Sequence, residues 1–218
     1  MSSFDLKLAA IILMFIDHLG YVFFPTQTVF RVIGRLAFPI FSFQVGIGYH
    51  HTKNKEKHIL LLLLFAIISQ IPFWLMTNIH IQVSTLNILF TFIFALLIIY
   101  CNDNIKHIII KIPLITILIL LTFYIKVDYG ILGVLLTVAL YYCSKSKLLT
   151  TLSLVSILLI DSFIDNSFIQ AYAILSIIFI WLFNGEKDLT QNGYFTSFIL
   201  CICWFCLELL NFFLKMLH

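Results

Sequence analysis

The sequence predicts an all-α protein, a polytopic transmembrane helix bundle of about nine helices. Of its 218 residues, 62% are hydrophobic and only 11% are charged, whereas soluble domains carry roughly 25% charged residues. Apolar runs of about 20 residues, the length that crosses a bilayer, follow one another with loops of only a few residues. This spacing leaves no room for a soluble domain, so we expect a single transmembrane domain over residues 1–218.

The elements follow from apolar runs bounded by turn and charge signals. The first run lacks the basic start and small-residue cleavage site of a signal peptide, so it is interpreted as a retained helix. The fifth run is the weakest, because Lys111 and Pro113 interrupt it. The predicted helices cover residues 4–24, 30–50, 58–78, 84–101, 107–125, 128–144, 148–164, 167–184 and 194–216. The boundaries between them are Pro25 to Thr28, His51 to Lys57, Thr77 to Val83, Asn102 to Lys106, Lys126-Val127, Cys143 to Lys147, Ile164 to Asn166, and Gly185 to Gly193.

Basic residues in short loops predict the orientation, because they collect on the cytoplasmic side. With the N-terminus inside, that side holds nine lysines: Lys7, Lys53, Lys55, Lys57, Lys106, Lys111, Lys145, Lys147 and Lys187. The other side receives Lys126 and Lys215, with Arg31 and Arg35 near the start of the second helix. We therefore expect a multi-pass protein of the cell membrane with a cytoplasmic N-terminus. The bilayer is its expected partner, and nucleic acid is not.

Two arginines, the only ones in the chain, fall in the outer half of the second predicted helix. An ionisable side chain inside a bilayer costs about 2.5–3.5 kcal/mol and usually faces the bundle interior for a functional reason. Arg31 and Arg35 lie one turn apart and share a helix face, which continues to Ser42, while Pro39 should kink the helix. The face suits a clamp for phosphate or carboxylate, or a partner for Asp17. The alternative is an arginine that reaches the lipid–water interface, which suits Arg31 better than Arg35.

His18 is the one histidine placed well inside an apolar helix, in the outer half of the first. A histidine with a near-neutral pKa can accept and return a proton, which acyl transfer to an amine or hydroxyl requires. The alternative is a hydrogen-bonded packing histidine. Its neighbour Asp17 points about 100° away around the helix, so Asp17 would orient another group or pair with an arginine, Arg35 being the first candidate.

Weaker candidates for the site lie on later helices. Gln70 stands near the end of the third helix, Asn87 in the fourth, and Asp128 and Tyr129 open the sixth. Asn87 alternatively links helices by hydrogen bonds, and Asp128 alternatively caps a helix. The pattern Cys-x-Cys-x-x-Cys at 201–206 has no histidine partner, and its first two cysteines point to different faces of a helix. We therefore expect apolar packing there and no metal site.

Several of these motifs together resemble one family. Met14-Phe15-Ile16-Asp17-His18-Leu19-Gly20 and the segment Ile33 to Phe43 are similar to the opening of the TraX family, named for the F-pilin acetylase of conjugative plasmids. The resemblance continues through Ser69 to Phe73, Asn87 to Thr91 and Asp128-Tyr129-Gly130, and spans about residues 6–190. The family commonly shows Tyr-Pro-x-His in the last helix, where this chain has Tyr194-Phe195-Thr196-Ser197. Together with a composition rich in Lys, Ile, Phe and Asn, the resemblance indicates a bacterial chain.

The resemblance implies a transmembrane acyltransferase that N-acetylates a small peptide or pilin-like acceptor with acetyl-CoA as the donor. His18 would be the general base and Asp17 would support it. Arg35, with Arg31, would bind an anionic part of the donor or stabilise the oxyanion. The implied substrate-binding residues are Arg31, Ser42, Gln70, Asn87, Asp128 and Tyr129. The alternative is a non-enzymatic transporter, flippase or assembly protein that uses the same buried polar residues.

Overall fold

The computed structural model describes residues 1–78, 85–164 and 168–185, and within them the chain is helical. The only strand-like pairing in these ranges is an isolated bridge between Leu86 and Val127. The helices are α1 (Ser3–Phe23), α2 (Thr28–Arg35), α3 (Ala37–His51), α4 (Lys55–Thr77), α5 (Ile88–Asn104), α6 (Ile108–Ile125), α7 (Gly130–Cys143), α8 (Lys147–Ile164) and, after a 3₁₀ segment at Gln170–Ser176, α9 (Ile177–Leu182).

The described residues contain eight apolar helical segments and not nine, when α2 with α3 and the 3₁₀ segment with α9 are each counted once. These eight correspond in order to the first eight predicted helices. The predicted ninth, at 194–216, lies outside the described residues. The all-α class is confirmed.

Within the described part of the chain, five segments are long and apolar enough to cross a membrane: Ser3–Phe23, Thr28–His51, Lys55–Thr77, Ile108–Ile125 and Lys147–Ile164. The clearest is α6, in which Thr122 is the one buried residue. A helix that exposes isoleucine and phenylalanine on nearly every side is stable in lipid and not in water. The predicted membrane protein is confirmed, while the cytoplasmic side of its N-terminus stays a prediction.

The chain divides into two compact units. Among the described residues, the first comprises 1–51, 135–164 and 168–185, and the second comprises 52–78 and 85–134. In the first unit α1 packs along α2 and α3, and the 3₁₀ segment packs on α2, α3 and α8. In the second unit α5 packs on both α4 and α6. The single domain over 1–218 stays a prediction.

Hydrogen bonds in the first unit fix which helix ends lie together. The ammonium group of Met1 donates to the Leu182 carbonyl at 2.7 Å, and Lys147 Nζ donates to the Trp181 carbonyl at 3.3 Å. Both cations thereby meet carbonyls at the end of α9, where the helix dipole is negative. The beginnings of α1 and α8 therefore lie beside the end of α9, as an up-and-down arrangement requires.

The second unit shows the same alternation. Tyr100 donates its hydroxyl to Glu56 at 2.7 Å, which joins the end of α5 to the beginning of α4. Lys111 Nζ donates to the Asn102 carbonyl at 2.8 Å, which joins the beginning of α6 to the end of α5. Consecutive helices of this unit thus run in opposite directions.

The second predicted helix is divided at Leu36, whose N–H donates to the Ile33 carbonyl at 3.3 Å. The cause lies three residues further on, because Pro39 has no N–H and its ring clashes with the carbonyl four residues back, that of Arg35. A new helix instead begins at Ala37, and Pro39 falls in its first turn, where no intrahelical N–H bond is needed. Arg35 is left as the last residue of α2, so the predicted disturbance lies one turn earlier than Pro39 itself.

Candidate active site

Two glycines bring α1 and α2 unusually close together. A Cβ atom at Gly20 would overlap the Cβ atom of Phe30, and a Cβ atom at Gly34 would overlap the side chain of Asp17. Both glycines are buried. At the turn between the helices, the rings of Phe24 and Phe30 stack with their centroids 5.2 Å apart. The hairpin is therefore closed by glycine contacts that admit no larger residue.

An ion pair lies across this hairpin. Arg31 Nη1 donates to Asp17 Oδ2 at 2.8 Å, and the side chains are 28% and 15% exposed. The Arg31 guanidinium carbon also lies 5.5 Å from the centroid of the Tyr21 ring, within the range of a cation–π contact. The expectation that Asp17 pairs first with Arg35 is wrong, because the turn sets Arg31 opposite Asp17.

His18 lies beside the same carboxylate. Its Nδ1 is 3.9 Å from Asp17 Oδ2, and its side chain is 16% exposed. This distance is too long for a hydrogen bond, but it is within the range at which opposite charges attract each other. Asp17 is thus placed to balance the charge that His18 acquires when it accepts a proton.

The second oxygen of the Asp17 carboxylate has a different environment. Oδ1 is buried and has no hydrogen-bond partner among the described residues, and it lies against Gly34. Leaving a buried acceptor unsatisfied costs about 1–3 kcal/mol. An additional hydrogen-bond donor to Oδ1 would therefore stabilise the Asp17 carboxylate.

Arg35 and Ser42 belong to the same unit as Asp17. Arg35 ends α2, and its Nε atom is buried. Ser42 lies on α3 and is 0% exposed. Further along α3, Gly46 packs so closely on α7 that a Cβ atom there would lie 3.3 Å from the Cα atom of Tyr141. The structure thus brings Asp17, His18 and Arg31 together and places the other two candidates on the adjoining helices.

The remaining candidates lie in the second unit, where Gln70 and Asn87 hold the loop before α5. The Asn87 side chain caps α5 by accepting from the Leu89 N–H at 3.1 Å and donates to the Ala66 carbonyl at 2.8 Å. Gln70 Oε1 accepts from the Asn87 N–H at 2.9 Å, and Gln70 Nε2 donates to the Thr85 carbonyl at 3.0 Å. Both amides are engaged by backbone, so their substrate-binding role stays a prediction.

Asp128 and Tyr129 lie in the turn before α7. Asp128 Oδ1 accepts from the Tyr129 N–H at 3.1 Å, and the Asp128 carbonyl accepts from the Thr91 hydroxyl. Tyr129 has a φ of 58°, which residues other than glycine seldom adopt. The bond from the Asp128 N–H to the Leu86 carbonyl, at 2.9 Å, helps to hold this turn. A role in substrate binding stays a prediction for both residues.

Replacing Asn87 by alanine is expected to lower the free energy of unfolding by about 2 kcal/mol, because it removes the cap of α5 and a buried hydrogen bond to the Ala66 carbonyl of α4. Asn54, which caps α4 with an exposed side chain, is the matched control and should cost about 1 kcal/mol on replacement by alanine. Detergent-mediated unfolding measures both. An Asn87→Ala protein as stable as the wild type would contradict the bonds described for Asn87.

Two residues beyond the predicted set emerge from the structure: Tyr21 and Gly34. Tyr21 follows Asp17 by one helical turn, a spacing that could have indicated it. Gly34 carries no such signal, because its importance depends on which helix packs against it. The predicted cysteine run at 201–206 lies outside the described residues, and within these residues no group of three potential metal ligands occurs.

The fold and this site define a class: an integral membrane protein of short-looped helices, with a partly buried carboxylate–guanidinium pair between its first two helices. The chain belongs to the TraX family, since the model of the family described as "TraX protein" matches residues 2–211. The resemblance found in the sequence is therefore confirmed.

Two curated relatives are similar to parts of the chain. The "Probable fimbrial assembly protein FimC, serogroup H1" of Dichelobacter nodosus is 33% identical over 156 residues, which cover 65% of this chain and 63% of the relative. An uncharacterized protein of Rickettsia prowazekii (strain Madrid E) is 39% identical over 80 residues, covering 36% of this chain and 32% of the relative. The matches thus span less than two thirds of either relative's length. No solved structure matches the chain.

Proposed function

We propose that this protein is an integral membrane acetyltransferase that transfers the acetyl group of acetyl-CoA to an amine of a small peptide or pilin-like acceptor. One observation carries the proposal: an ionised pair, Asp17 and Arg31, with a histidine beside it, is held between apolar helices by glycine contacts. Charged groups in such surroundings are costly and are retained for function. Membership of the TraX family and a relative named for fimbrial assembly support a substrate related to pili.

In the proposed reaction His18 is the general base. The acceptor amine attacks the thioester carbonyl carbon, which forms the C–N bond and a tetrahedral oxyanion, and the amine passes a proton to the imidazole. The oxyanion then collapses, the C–S bond breaks, and the thiolate of CoA leaves with that proton from His18. Asp17 stabilises the imidazolium between these two steps, because its carboxylate lies 3.9 Å from Nδ1.

Arginine supplies the positive charge that the developing oxyanion requires. Arg31 is fixed by Asp17 on one side and by Tyr21 on the other, so little reorganisation is needed when negative charge appears. Arg35 stands one turn further along α2, as its last residue. We assign Arg35, together with Arg31, the stabilisation of this oxyanion.

Replacing His18 by glutamine is expected to lower acetyl transfer by about a hundredfold or more, because the base contributes about 10²- to 10⁴-fold. The measurement is the incorporation of labelled acetyl groups from acetyl-CoA into membrane peptides, at equal protein levels. His50, an exposed histidine of α3 in the same unit, provides the control, and His50→Gln should retain transfer. Normal transfer by His18→Gln would refute the proposal.

The name of the Dichelobacter nodosus relative favours a second candidate, a non-catalytic role in pilus or fimbrial assembly. Acetyl-CoA consumption separates the two. An assembly protein would never consume it, and it would keep its role when Asp17, His18 and Arg35 are each replaced by alanine. Movement of a substrate across liposomes without acetyl-CoA would instead identify a transporter.

A further inference from the structure

Two buried hydroxyl groups of the first unit lack the bonds that such groups normally make. Ser42 on α3 and Ser176 at the end of the 3₁₀ segment are both 0% exposed, and neither Oγ atom has a hydrogen-bond partner among the described residues. Hydroxyls within helices usually donate to a carbonyl three or four residues back, as Thr150 of the same unit does to Ser146 at 3.0 Å. Unsatisfied buried hydroxyls are rare, and here two occur on elements that pack against each other.

The 3₁₀ conformation places Ser176 towards the interior. Side chains three residues apart line up in such a helix, and Ala173 and Ser176 are accordingly buried together. The segment Gln170–Ser176 runs for 7 residues before α9 begins at Ile177. Runs of 3₁₀ helix beyond three or four residues are uncommon.

The packing of the helices that carry these serines indicates what the hydroxyls bind. Ser42 lies on α3, which follows α2 directly in the chain. The 3₁₀ segment packs on α2, which carries both arginines, and on α3. An acyl donor held at the Asp17–Arg31 pair would therefore adjoin the two elements that carry these hydroxyls. That arm is slim and carries amide groups, which supply both donors and acceptors to a hydroxyl.

We propose that Ser42 and Ser176 form a binding position for the amide-bearing arm of the acyl donor, between α3 and the 3₁₀ segment. The inference rests on the proposed function, since it takes acetyl-CoA as the donor, and it adds a donor subsite that includes Ser176. In the absence of the donor the two hydroxyls destabilise the fold, and the donor satisfies them when it binds. Removal of either hydroxyl should therefore raise the stability of the protein without ligand and weaken its affinity for the donor.

The first measurement is the thermal stability of the full chain in detergent without ligand. Ser42→Ala and Ser176→Ala are each expected to raise the melting temperature by about 2 °C, because an unsatisfied polar group is removed. Thr150→Val is the matched control, since Thr150 is buried and bonded, and it should lower the melting temperature. A fall in both serine variants like that of Thr150→Val would overturn the proposal, because it would show that the hydroxyls already have partners.

The second measurement is the dissociation constant of acetyl-CoA. Each serine variant should weaken binding about five- to tenfold, the effect of one lost hydrogen bond, whereas Thr150→Val should leave it unchanged. If the wild type and both variants bind acetyl-CoA equally, the hydroxyls do not contact the donor and this inference alone fails. If the wild type binds no acetyl-CoA, the proposed function fails and the inference fails with it.

Discussion

Replacing Arg31 by methionine is expected to lower the free energy of unfolding by about 3 kcal/mol, because it leaves the Asp17 carboxylate charged and unpaired between two helices. Methionine preserves most of the side-chain volume and can still pack on the Tyr21 ring. The loss of unfolding free energy is therefore due mainly to the removed charge. The double variant Asp17→Asn with Arg31→Met removes both charges and should recover at least half of the loss. A double-mutant cycle measured by unfolding in mixed micelles gives the coupling energy.

Lys55 provides the matched control for this experiment. It forms an ion pair with Asp103 at 4.0 Å, with side chains that are 32% and 28% exposed. Because water and headgroups screen such a pair, Lys55→Met should cost less than about 1 kcal/mol. If Arg31→Met costs no more than Lys55→Met, the pair at Asp17 is not a buried charge pair, and its part in the proposed chemistry loses its basis.

Replacing Gly34 by alanine is expected to cost about 3 kcal/mol and to separate α1 from α2, because its Cβ atom would overlap the side chain of Asp17. The atoms that this Cβ would meet begin with the Cβ atom of Asp17, which is attached directly to the backbone of α1. Rotation of the Asp17 side chain therefore cannot remove the overlap. The same variant should lose acetyl transfer, since the ion pair depends on this approach. Unfolding free energy and transfer are measured on the same preparation.

Gly48 is the control for this substitution. It lies within α3, and apart from the neighbouring backbone of its own helix no described atom lies within 4 Å of the position that its Cβ atom would take. Gly48→Ala should therefore raise stability by up to about 1 kcal/mol, the difference in helix propensity between the two residues. A Gly34→Ala protein that behaves like Gly48→Ala would show that the hairpin is looser than described.

The sequence predicted the order and approximate bounds of eight helices. The reason is that the length of an apolar run decides whether a helix can cross a bilayer, and this length is visible in the sequence alone. It also identified Asp17, His18 and Arg31 as anomalous, because an ionisable residue in an apolar run is visible without any contact. The sequence predicted from Pro39 that the second helix would be disturbed. The division lies at Leu36 because the proline ring clashes with the carbonyl four residues back.

The sequence did not predict the partner of Asp17. Arg31 and Arg35 share a helix face, so periodicity alone favours neither, and the argument from depth in the membrane favoured Arg35. The packing of α2 on α1 makes Arg31 the partner, because Gly34 lets α2 approach until Arg31 Nη1 lies 2.8 Å from Asp17 Oδ2. Gln70 and Asn87 show the same limit, since their backbone partners lie on segments that only folding brings together.

By itself, then, the sequence determined an all-α membrane protein and located its unusual charges, because transfer into lipid depends on composition along the chain. The tertiary structure alone decided which charges meet, which glycines permit the meeting, and that Ser176 is buried without a hydrogen-bond partner in the described part of the chain. The physical reason is the distance over which each kind of interaction acts. Hydrophobicity acts residue by residue, whereas ion pairs and hydrogen bonds depend on distances of a few ångströms that are fixed only when helices pack.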